Sequence, residues 1–345
     1  MPICNVFTNP RFWRTFFDGI HYSYDDIPDL TGQVAIVTGA TGDLGYATVV
    51  ALAAHGAHVF FACRNRVKAE EAIKHAYADI LQLQFDFPNA KHAANYDFEK
   101  NRPKLEFLEL ELSEAAKAKA AATEFLKLGL PLNILVCNGG IKGQDYDLTD
   151  DGYENHFGVN HLGHFAFTTT LLERVRESAP ARIVILSSMA HELPPSNKAI
   201  DFKNLRSPTV QEKNPCVRYG QSKLANVLFG KALARRLKDD RVYVNMVHPG
   251  LVDARLEKEI QEATEKNQSR GANPLLLKFA YKVRDAALTP LYLATSPEIV
   301  EKDIRGRYFI PIANELRPNP LSDSVDLQDE LWAYSEKAVQ GDHRV

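Results

Sequence analysis

The clearest chemical signal is a tyrosine and a lysine four positions apart, Tyr219 and Lys223, in the stretch VRYGQSKLANVLFGKAL (217–233). Residues at i and i+4 share one face of a helix, so the phenol and the ammonium would be neighbours. A phenol has an ordinary pKa of about 10, and a nearby ammonium lowers it. Such a pair could give a proton to a substrate oxygen or take one from it. On spacing alone, two unrelated surface residues remain the simpler interpretation.

A second signal is the glycine-rich turn in VAIVTGATGDLGYAT (34–48), where Gly39, Gly42 and Gly45 stand three residues apart. A β-type run precedes the turn and a helix-type pattern follows it. In such a unit the backbone can approach a pyrophosphate, and the free N–H groups of the helix N-terminus stabilise its charge. Glycine triplets alone are weak evidence, but this context predicts a nucleotide-binding site.

The residues after the second predicted strand indicate which dinucleotide is bound. Sites that prefer NAD usually place an acidic residue there for the ribose 2′-hydroxyl. The sequence HVFFACRNR (58–66) has no acid at this point and has Arg64 and Arg66 instead. A guanidinium suits a 2′-phosphate, which favours NADP(H). The alternative is that Arg64 is an ordinary solvated loop arginine.

The elements that must position these residues alternate along the chain. Helix-type patterns separate short apolar β-type runs, which are predicted at 34–38, 57–63, 104–112, 132–137, 182–187, 241–247 and 305–311. Continuous apolar strands separated by helices are typical of a parallel sheet covered on both faces. We therefore predict an α/β fold, a doubly wound parallel sheet of the Rossmann type, in a single domain with loop insertions.

Several segments fall outside this alternation. Residues 1–30 are predicted as an N-terminal extension, 31–320 as the domain and 321–345 as a C-terminal helix or tail. Within the domain, 81–103 and 189–216 are predicted insertions.

The motifs and their order resemble the short-chain dehydrogenase/reductase family, and within it the retinol-dehydrogenase-like group. The stretches that carry the resemblance are IPDLTGQVAIVTGATGDLG, ACRN, NGG, TDDGYENHFGVNHLGHF, RIVILSSMAHE, YGQSK, VHPGLV and TPLYLATSPE. They extend over roughly residues 28–340. The most specific are DGYENHFGVNHLGHF and YGQSKLANVLF.

The resemblance implies four catalytic residues. Tyr219 matches the acid/base, and Lys223 matches the lysine that lowers its pKa and holds the nicotinamide ribose. Ser188 matches the serine that hydrogen-bonds the reacting oxygen, and Asn160 matches the asparagine that anchors a water in a proton relay. Ser187 is adjacent to Ser188, but strand alternation points the two side chains in opposite directions.

The resemblance also implies contacts to the cofactor. Asn138 matches a position beside the adenosine, Glu111 and Leu112 match a pair around the adenine, and Val252 matches a backbone contact to the nicotinamide amide. The predicted cofactor-binding set is Gly39, Thr41, Gly42, Leu44, Gly45, Arg64, Glu111, Leu112, Asn138, Tyr219, Lys223 and Val252.

The sequence departs from the family pattern at some of these contacts. Asp43 stands at the middle glycine of T-G-x-x-x-G-x-G, and Gly42 supplies a glycine one residue earlier. That spacing is similar to the extended, epimerase-like branch, and an acid facing the turn would repel phosphate. Glu111 replaces the usual Asp, and Ala254 stands where a Thr or Ser often contacts the nicotinamide amide.

Composition argues against several other classes. The 345 residues carry a net charge of −3 without a marked Lys/Arg cluster, so nucleic acid is not an expected partner. No apolar run reaches the ~18 residues of a membrane span, and the N-terminus lacks a signal-peptide pattern. Four cysteines without disulfide spacing indicate reduced thiols and a cytoplasmic protein. We expect the aromatic segment 9–24 to dock on the domain, with peripheral membrane contact as the alternative.

Metal and hydrolase chemistry find little support. His156, His161 and His164 lie close together, but no cysteine or carboxylate set completes a tetrahedral site, so no metal is expected. A serine hydrolase would need G-x-S-x-G after a strand, and the chain has no such motif.

The sequence thus predicts an NADP(H)-dependent oxidoreductase (EC 1.1.1 type) that moves hydride between nicotinamide and a carbonyl or alcohol carbon. The resemblance implies a lipophilic or aromatic substrate, and a homodimer that pairs through the helix beginning near 153 and the 217–238 helix. Two alternatives stay open. One is an epimerase- or dehydratase-like enzyme with tightly bound NAD, and the other is a non-catalytic NADP(H)-binding protein.

Overall fold

A computed structural model describes residues 10, 14, 18–86, 103–143, 145–193, 195, 199–206, 214–252 and 280–341. The strands are β1 (Val34–Thr38), β2 (His58–Cys63), β3 (Leu105–Glu109), β4 (Ile134–Cys137), β5 (Ala181–Leu186), β6 (Val242–Val247), β7 (Tyr308–Ile310) and β8 (Asn314–Glu315). The helices are α1 (Asp43–Ala54), α2 (Arg66–Asp86), α3 (Ala115–Lys127), α4 (Asn155–Phe157), α5 (Gly163–Glu177), α6 (Pro215–Arg236), α7 (Val283–Thr295), α8 (Glu298–Glu301) and α9 (Val325–Val339). A π-helical turn covers Gly158–Leu162, and 3-10 turns cover Tyr24–Asp26, Met189–Glu192, Phe202–Asn204 and Pro320–Asp323.

The strands form one sheet in the order β3-β2-β1-β4-β5-β6-β7-β8. The pairs from β3 to β7 are parallel, and only β8 returns antiparallel to β7. The order reverses direction between β1 and β4, where parallel α/β sheets open a crevice for ligands at their carboxyl edge. The predicted doubly wound α/β fold is confirmed, with β8 as an addition at the edge.

The sheet is buried on both faces, because its strands are nearly continuous apolar runs. On one face α3, α5 and α6 contribute Phe125, Phe165 and Phe229 to the core. On the other face α1 and α7 contribute Val49 and Leu291. Because both faces are packed, the strands are held in place along the sheet, and so are the loops at their carboxyl ends.

The end of the aromatic N-terminal segment docks on α7. The Tyr22 hydroxyl lies 2.8 Å from Thr295 Oγ1, and the Tyr22 ring packs edge-on against Tyr292 at 5.3 Å. The Tyr24 hydroxyl donates to the Arg284 carbonyl at 2.8 Å. These two rings pack on the domain as expected, while residues 9, 11–13 and 15–17 lie outside the described part of the chain.

The C-terminal helix α9 covers α5 and α6. Ser335 Oγ lies 2.8 Å from His161 Nε2, and Trp332 packs against Phe165 with ring centroids 5.0 Å apart. The Arg236 guanidinium lies 4.1 Å from the Trp332 ring centroid. These two helices belong to the surface through which the resemblance implies pairing, so a homodimer would need a face that α9 leaves open.

Among the described residues, no helix combines the length and the apolar character needed to cross a bilayer. Cys63 and Cys137 are buried free thiols. Cys216 is disulfide-bonded, so the expectation of four reduced thiols is wrong at this position. Sequence spacing does not show which cysteines folding brings within bonding distance.

Candidate active site

The predicted catalytic residues meet at the carboxyl edge of the sheet. Ser188 follows β5, the π-helical turn that carries Asn160 packs against α6, and α6 carries Tyr219 and Lys223. α6 begins at Pro215, where Asn214 Oδ1 accepts from the Cys216 N–H at 2.9 Å. A capped first turn with proline holds the start of the helix, and the tyrosine lies one turn further on.

Ser188 and Ser187 point to different partners. Ser188 hydrogen-bonds Tyr219, and its hydroxyl oxygen also accepts from the Ala190 N–H at 3.2 Å. The buried Ser187 hydroxyl instead donates to the Lys223 carbonyl at 2.8 Å. The structure therefore brings Ser188, and not its neighbour, to the tyrosine, as strand alternation predicts.

Burial dominates the electrostatics of Tyr219 and Lys223. It raises the pKa of Tyr219 to about 12, an effect that the Ser188 hydrogen bond only partly offsets. It lowers the pKa of Lys223 to about 8. The Lys223 ammonium lies 5.6 Å from the Tyr219 ring centroid and donates to the Leu186 carbonyl at 3.2 Å. The phenol pKa is therefore raised and not lowered as the sequence predicts, because desolvation of the phenolate by burial is the largest influence on it.

Tyr219 is nevertheless in reach of solvent. Its side chain is partly exposed, although protein surrounds it on its other sides, whereas Lys223 is only 5% exposed. A reacting group needs this arrangement, because it must meet a substrate while its partner stays shielded from water.

Asn160 connects the loop after β4 to α6. Its Oδ1 accepts from the Ile141 N–H at 2.8 Å, and its Nδ2 donates to the Ile141 carbonyl and to Ser222 Oγ at 3.0 and 2.9 Å. A Cβ on Gly140 would lie 2.9 Å from Asn160 Oδ1 and 3.5 Å from Lys223 Nζ. Asn160 thus joins Gly140 and Lys223 in one site, and its water relay remains a prediction.

His164 is a residue of the site that the sequence analysis considered only as a metal ligand and set aside. Its Nδ1 donates to the Asn160 carbonyl at 3.0 Å, and its Nε2 lies 2.8 Å from Thr38 Oγ1. Thr38 Oγ1 also accepts from the Gly139 N–H at 2.8 Å. The Asn160–His164 spacing of four residues was a usable signal, because it places a side chain below the carbonyl of the preceding turn.

The neighbouring histidines are also committed to protein groups. Burial lowers the pKa of His161 to about 3 and that of His164 to about 4, so both stay neutral. Across the ranges that the structure describes, no three His, Cys, Asp or Glu side chains are placed to hold a metal ion.

The glycine turn leaves one side of its backbone open. Gly39 adopts a φ of +63°, and a Cβ on it would lie 2.7 Å from Gly139 Cα. A Cβ on Gly45 would lie 2.5 Å from the Gly39 carbonyl oxygen. A Cβ on Gly42 would have no neighbour closer than 3.4 Å, and Gly42 caps α1 without a side-chain acceptor. Two glycines therefore permit close packing, and the exposed third stands at free N–H groups that suit a pyrophosphate.

The remaining residues of the turn contact the protein core or the solvent. Thr41 hydrogen-bonds Cys63 at the end of β2, and Leu44 packs against the core from the first turn of α1. Asp43 is exposed on that same turn. Its carboxylate lies in water, where its repulsion of a phosphate would be weakened.

Arg64 is the arginine available for a 2′-phosphate. It is exposed directly after β2, and no described residue forms an ion pair with it. Arg66 lies 3.8 Å from Glu70 and covers the Phe107 ring at 4.5 Å. Asn65 Oδ1, between the two, accepts from the Lys68 N–H at 2.9 Å and starts α2.

The predicted adenosine contacts lie beside the glycine turn. Asn138 Nδ2 donates to the Thr38 carbonyl at 2.9 Å, and Glu111 accepts from the Ser113 N–H at 3.0 Å. A Cβ on Gly139 would lie 2.9 Å from Leu112 Cδ1. Asn138 and Leu112 thus lie against the ends of β1 and β4, while the Glu111 contact stays within its own loop, and the adenosine roles stay predictions.

Val252 lies on the far side, in a parallel bridge with Tyr281. The chain between them, 253–279, is outside the described residues, and so are Ala254 and the stretch 255–270. The substrate-facing role predicted for that segment is therefore not addressed by the structure.

A buried ionic cluster next to Tyr219 was also missed. Glu154 Oε1 lies 2.6 Å from His156 Nδ1 and 3.3 Å from Arg218 Nε, with all three residues at most 4% exposed. The His156 ring packs edge-on against Tyr219 at 6.1 Å. A charged residue directly before the tyrosine on an apolar helix was the available signal, since buried charges need partners.

Comparison with known proteins places this geometry in a family. The family pattern described as short chain dehydrogenase matches residues 33–96 and 88–200. Mouse retinol dehydrogenase 14 is 36% identical over 313 residues, which is 89% of this chain and 86% of that protein. The human WW domain-containing oxidoreductase is 33% identical over 319 residues, 90% of this chain and 69% of that protein.

Solved structures share the fold. A crystal structure of an uncharacterised protein from Mycobacterium paratuberculosis superposes with a TM-score of 0.65 at 25% identity, over 92% of this chain and 97% of that one. L-sorbose reductase from Gluconobacter frateurii, complexed with NADPH and L-sorbose, superposes with a TM-score of 0.59 at 17% identity, over 85% and 100%. By its relatives and its sheet, the chain belongs to the short-chain dehydrogenase family and to the retinol-dehydrogenase-like group within it.

Proposed function

We propose that this oxidoreductase uses NADP(H) and transfers hydride between the nicotinamide and a carbonyl or alcohol carbon. The observation that carries the proposal is the contact of Ser188 with Tyr219, in a site where Lys223 lies 5.6 Å from the tyrosine ring. Two hydroxyl groups that meet at one point can both hydrogen-bond a single substrate oxygen.

The chain's own residues would hold that oxygen and its proton. Ser188 donates to the oxygen and Tyr219 exchanges a proton with it, while the buried ammonium of Lys223 stabilises the phenolate that results. The nicotinamide, when bound, supplies or accepts the hydride. Burial raises the pKa of Tyr219 to about 12, so the phenol carries its proton at neutral pH and can donate it to a carbonyl oxygen.

The preference for NADP(H) rests on Arg64. It stands after β2 where an NAD site would have an acid, and it is exposed without an ion-pair partner among the described residues. The glycine turn and the free N–H groups of α1 would hold the pyrophosphate. NADPH in the L-sorbose reductase complex is a property of that protein, and at 17% identity it supports the fold alone.

A lipophilic or aromatic alcohol or ketone is the proposed substrate class. Its support is the name of the relatives, since retinol dehydrogenases 13 and 14 match this chain at 33% and 36% identity. The epimerase-like alternative, suggested by the glycine spacing, requires NAD that stays bound through dialysis.

The experiment has a binding arm and a turnover arm. NADPH and NADH are titrated by fluorescence into wild type, Arg64→Ala and the matched control Arg66→Ala. We expect tighter NADPH binding in wild type, loss of that preference in Arg64→Ala, and retention in Arg66→Ala. Equal affinity for both nucleotides in wild type would refute the cofactor assignment.

The turnover arm compares wild type with Tyr219→Phe on a panel of apolar aldehydes and ketones. We expect turnover to fall by at least about 100-fold in the variant while NADPH affinity is retained. Tyr334→Phe, a buried tyrosine on α9, is the matched control. Unchanged turnover in Tyr219→Phe would refute the mechanism.

A further inference from the structure

A buried polar cluster lies behind the site and is not used by the proposed chemistry. It consists of Ser187, His191 and Tyr308, which are 3%, 0% and 1% exposed. Ser187 directly follows β5, His191 lies in the Met189–Glu192 turn, and Tyr308 begins β7. Buried polar groups are costly unless each one is hydrogen-bonded, so the partners of these three show what the cluster holds in place.

His191 holds the backbone of Ser188. Its Nδ1 lies 2.6 Å from the Ser188 carbonyl oxygen, which can only accept, so Nδ1 carries the proton. Its Nε2 accepts from the Asn319 N–H at 3.1 Å. Both contacts are met with the proton on Nδ1 and the lone pair on Nε2, so together they fix the orientation of the ring.

Tyr308 and Ser187 extend this connection to Lys223. The Tyr308 hydroxyl lies 3.2 Å from His191 Nδ1 and hydrogen-bonds Ser187. Because the Ser187 proton goes to the Lys223 carbonyl at 2.8 Å, Ser187 accepts from the Tyr308 phenol, and the phenol oxygen lies 3.2 Å from the same His191 Nδ1–H that donates to Ser188. The donors run in one direction, from His191 through Tyr308 and Ser187 to Lys223.

The cluster also ties in the C-terminal segment. Asn319 gives its N–H to the His191 ring and its Nδ2 to the His191 carbonyl, at 3.1 and 3.5 Å. Its Oδ1 accepts from the Leu321 N–H at 3.0 Å and starts the Pro320–Asp323 turn. A segment more than 120 residues away in sequence therefore fixes the imidazole from behind.

We propose that His191 and Tyr308 are positioning residues that hold the backbones of Ser188 and Lys223 at the distance the reaction needs. The inference rests on the proposed function of the site. Misplacing a catalytic group by about 1 Å can cost about 100-fold in rate, so backbone anchors of this kind are worth measurable turnover.

Two substitutions of one histidine separate positioning from simple packing. In His191→Asn the amide nitrogen can replace Nδ1 and keep the bond to Ser188, while the contact to Asn319 is lost. In His191→Gln the amide reaches the Nε2 position, and the bond to Ser188 is lost. Tyr308→Phe keeps the ring and removes the link to Ser187.

The first readout is turnover of the best carbonyl substrate. We expect kcat to fall about 10- to 100-fold in His191→Gln and Tyr308→Phe, and less than about 5-fold in His191→Asn, with KM and NADPH affinity little changed. The controls are His55→Asn, where a buried ring hydrogen-bonds the Ala51 carbonyl at 2.8 Å, and Tyr334→Phe. Equal losses in His191→Asn and His191→Gln, or wild-type kcat in His191→Gln and Tyr308→Phe, would overturn the proposal.

The second readout is independent of activity. Amide hydrogen exchange of residues 187–193 should speed up in His191→Gln and Tyr308→Phe and stay at the wild-type rate in both controls. Unchanged exchange there overturns the positioning role even if no substrate is turned over. Wild-type protein that reduces no carbonyl refutes the proposed function, and the exchange result still decides whether the cluster orders the Ser188 loop.

Discussion

Replacing Lys223 with methionine is expected to stabilise the protein, measured without nucleotide, while abolishing turnover. The lysine is 5% exposed, and burial lowers its pKa from 10.5 to about 8. That difference corresponds to a penalty of roughly 3 kcal/mol on the folded state at neutral pH, because each tenfold change in proton affinity is about 1.4 kcal/mol. Methionine has similar length and no charge, so it removes the penalty without leaving a large cavity.

The substitution also removes one hydrogen bond. Lys223 Nζ donates to the Leu186 carbonyl at 3.2 Å, and Asn226 Nδ2 donates to the same oxygen at 3.0 Å. The carbonyl therefore keeps a partner in the variant, and the loss is about 1 kcal/mol. A net stabilisation of about 2 kcal/mol remains, which is a large change for one substitution.

The stability effect of Lys223 should depend on pH because its pKa differs between the folded and the unfolded protein. The folded-state pKa of Lys223, about 8, lies below the unfolded value of 10.5, so the unfolded chain binds the extra proton between them. The wild-type penalty is full below about pH 8 and disappears as the pH rises to 10.5. The advantage of Lys223→Met should shrink over the same window.

Urea unfolding at several values from about pH 7 to about pH 10 measures this difference. Lys117→Met is the control, since that lysine is 56% exposed and pairs with Glu114 at 2.7 Å, and exposed pairs contribute little. A Lys223→Met protein that is less stable than wild type at pH 7, or whose advantage does not change with pH, would refute the reasoning.

Four further substitutions test single contacts. Ser188→Ala should lower kcat by about 100-fold with an unchanged melting temperature, whereas Ser187→Ala should cost about 1–2 kcal/mol in urea unfolding because its buried hydrogen bonds are lost. Gly45→Ala brings a methyl group to 2.5 Å from the Gly39 carbonyl, so it should weaken NADPH binding in a fluorescence titration more than Gly129→Ala, whose Cβ meets nothing within 4 Å. Trp332→Ala removes the ring between Phe165 and Arg236 and should cost about 3 kcal/mol in urea unfolding, and a loss below about 1 kcal/mol would show that α9 is only loosely held.

The fold was predictable where the strands are fully buried. β1, β2 and β6 are continuous apolar runs, and the structure starts and ends them within one residue of the prediction. α7 was not predicted, because Pro290 lies inside it and proline usually interrupts a helix. α2 continues six residues into the predicted insertion, to Asp86, because Leu83 still packs on the core. In both cases the residues of the segment itself do not indicate a helix, and packing against the core decides its extent.

The identity of the site residues was predictable from the sequence, but the hydrogen bonds that connect them were less so. Tyr219, Ser188, Lys223 and Asn160 come together, since their motifs end strands or lie on the helix that covers those ends. The contact of Thr38 with His164 joins residues 126 positions apart, and no spacing rule announces it. The direction of the Tyr219 pKa was wrong for a related reason, because the degree of burial depends on parts of the fold that the motif does not contain.

The pKa directions of Tyr219 and Lys223 have one cause and bear on catalysis together. Burial makes a lone phenolate and a lone ammonium both unfavourable, so each group would lose part of its penalty if the opposite charge appeared beside it. A proton that leaves Tyr219 for a substrate oxygen creates that opposite charge on a ring whose centroid lies 5.6 Å from the Lys223 ammonium. The penalty that Lys223 imposes on the folded protein would then be relieved as the reaction proceeds, so it works as stabilisation of the transition state. The buried charge of Lys223 therefore both destabilises the folded protein and stabilises the transition state. A neutral residue at position 223 should increase stability and should lose turnover for the same reason.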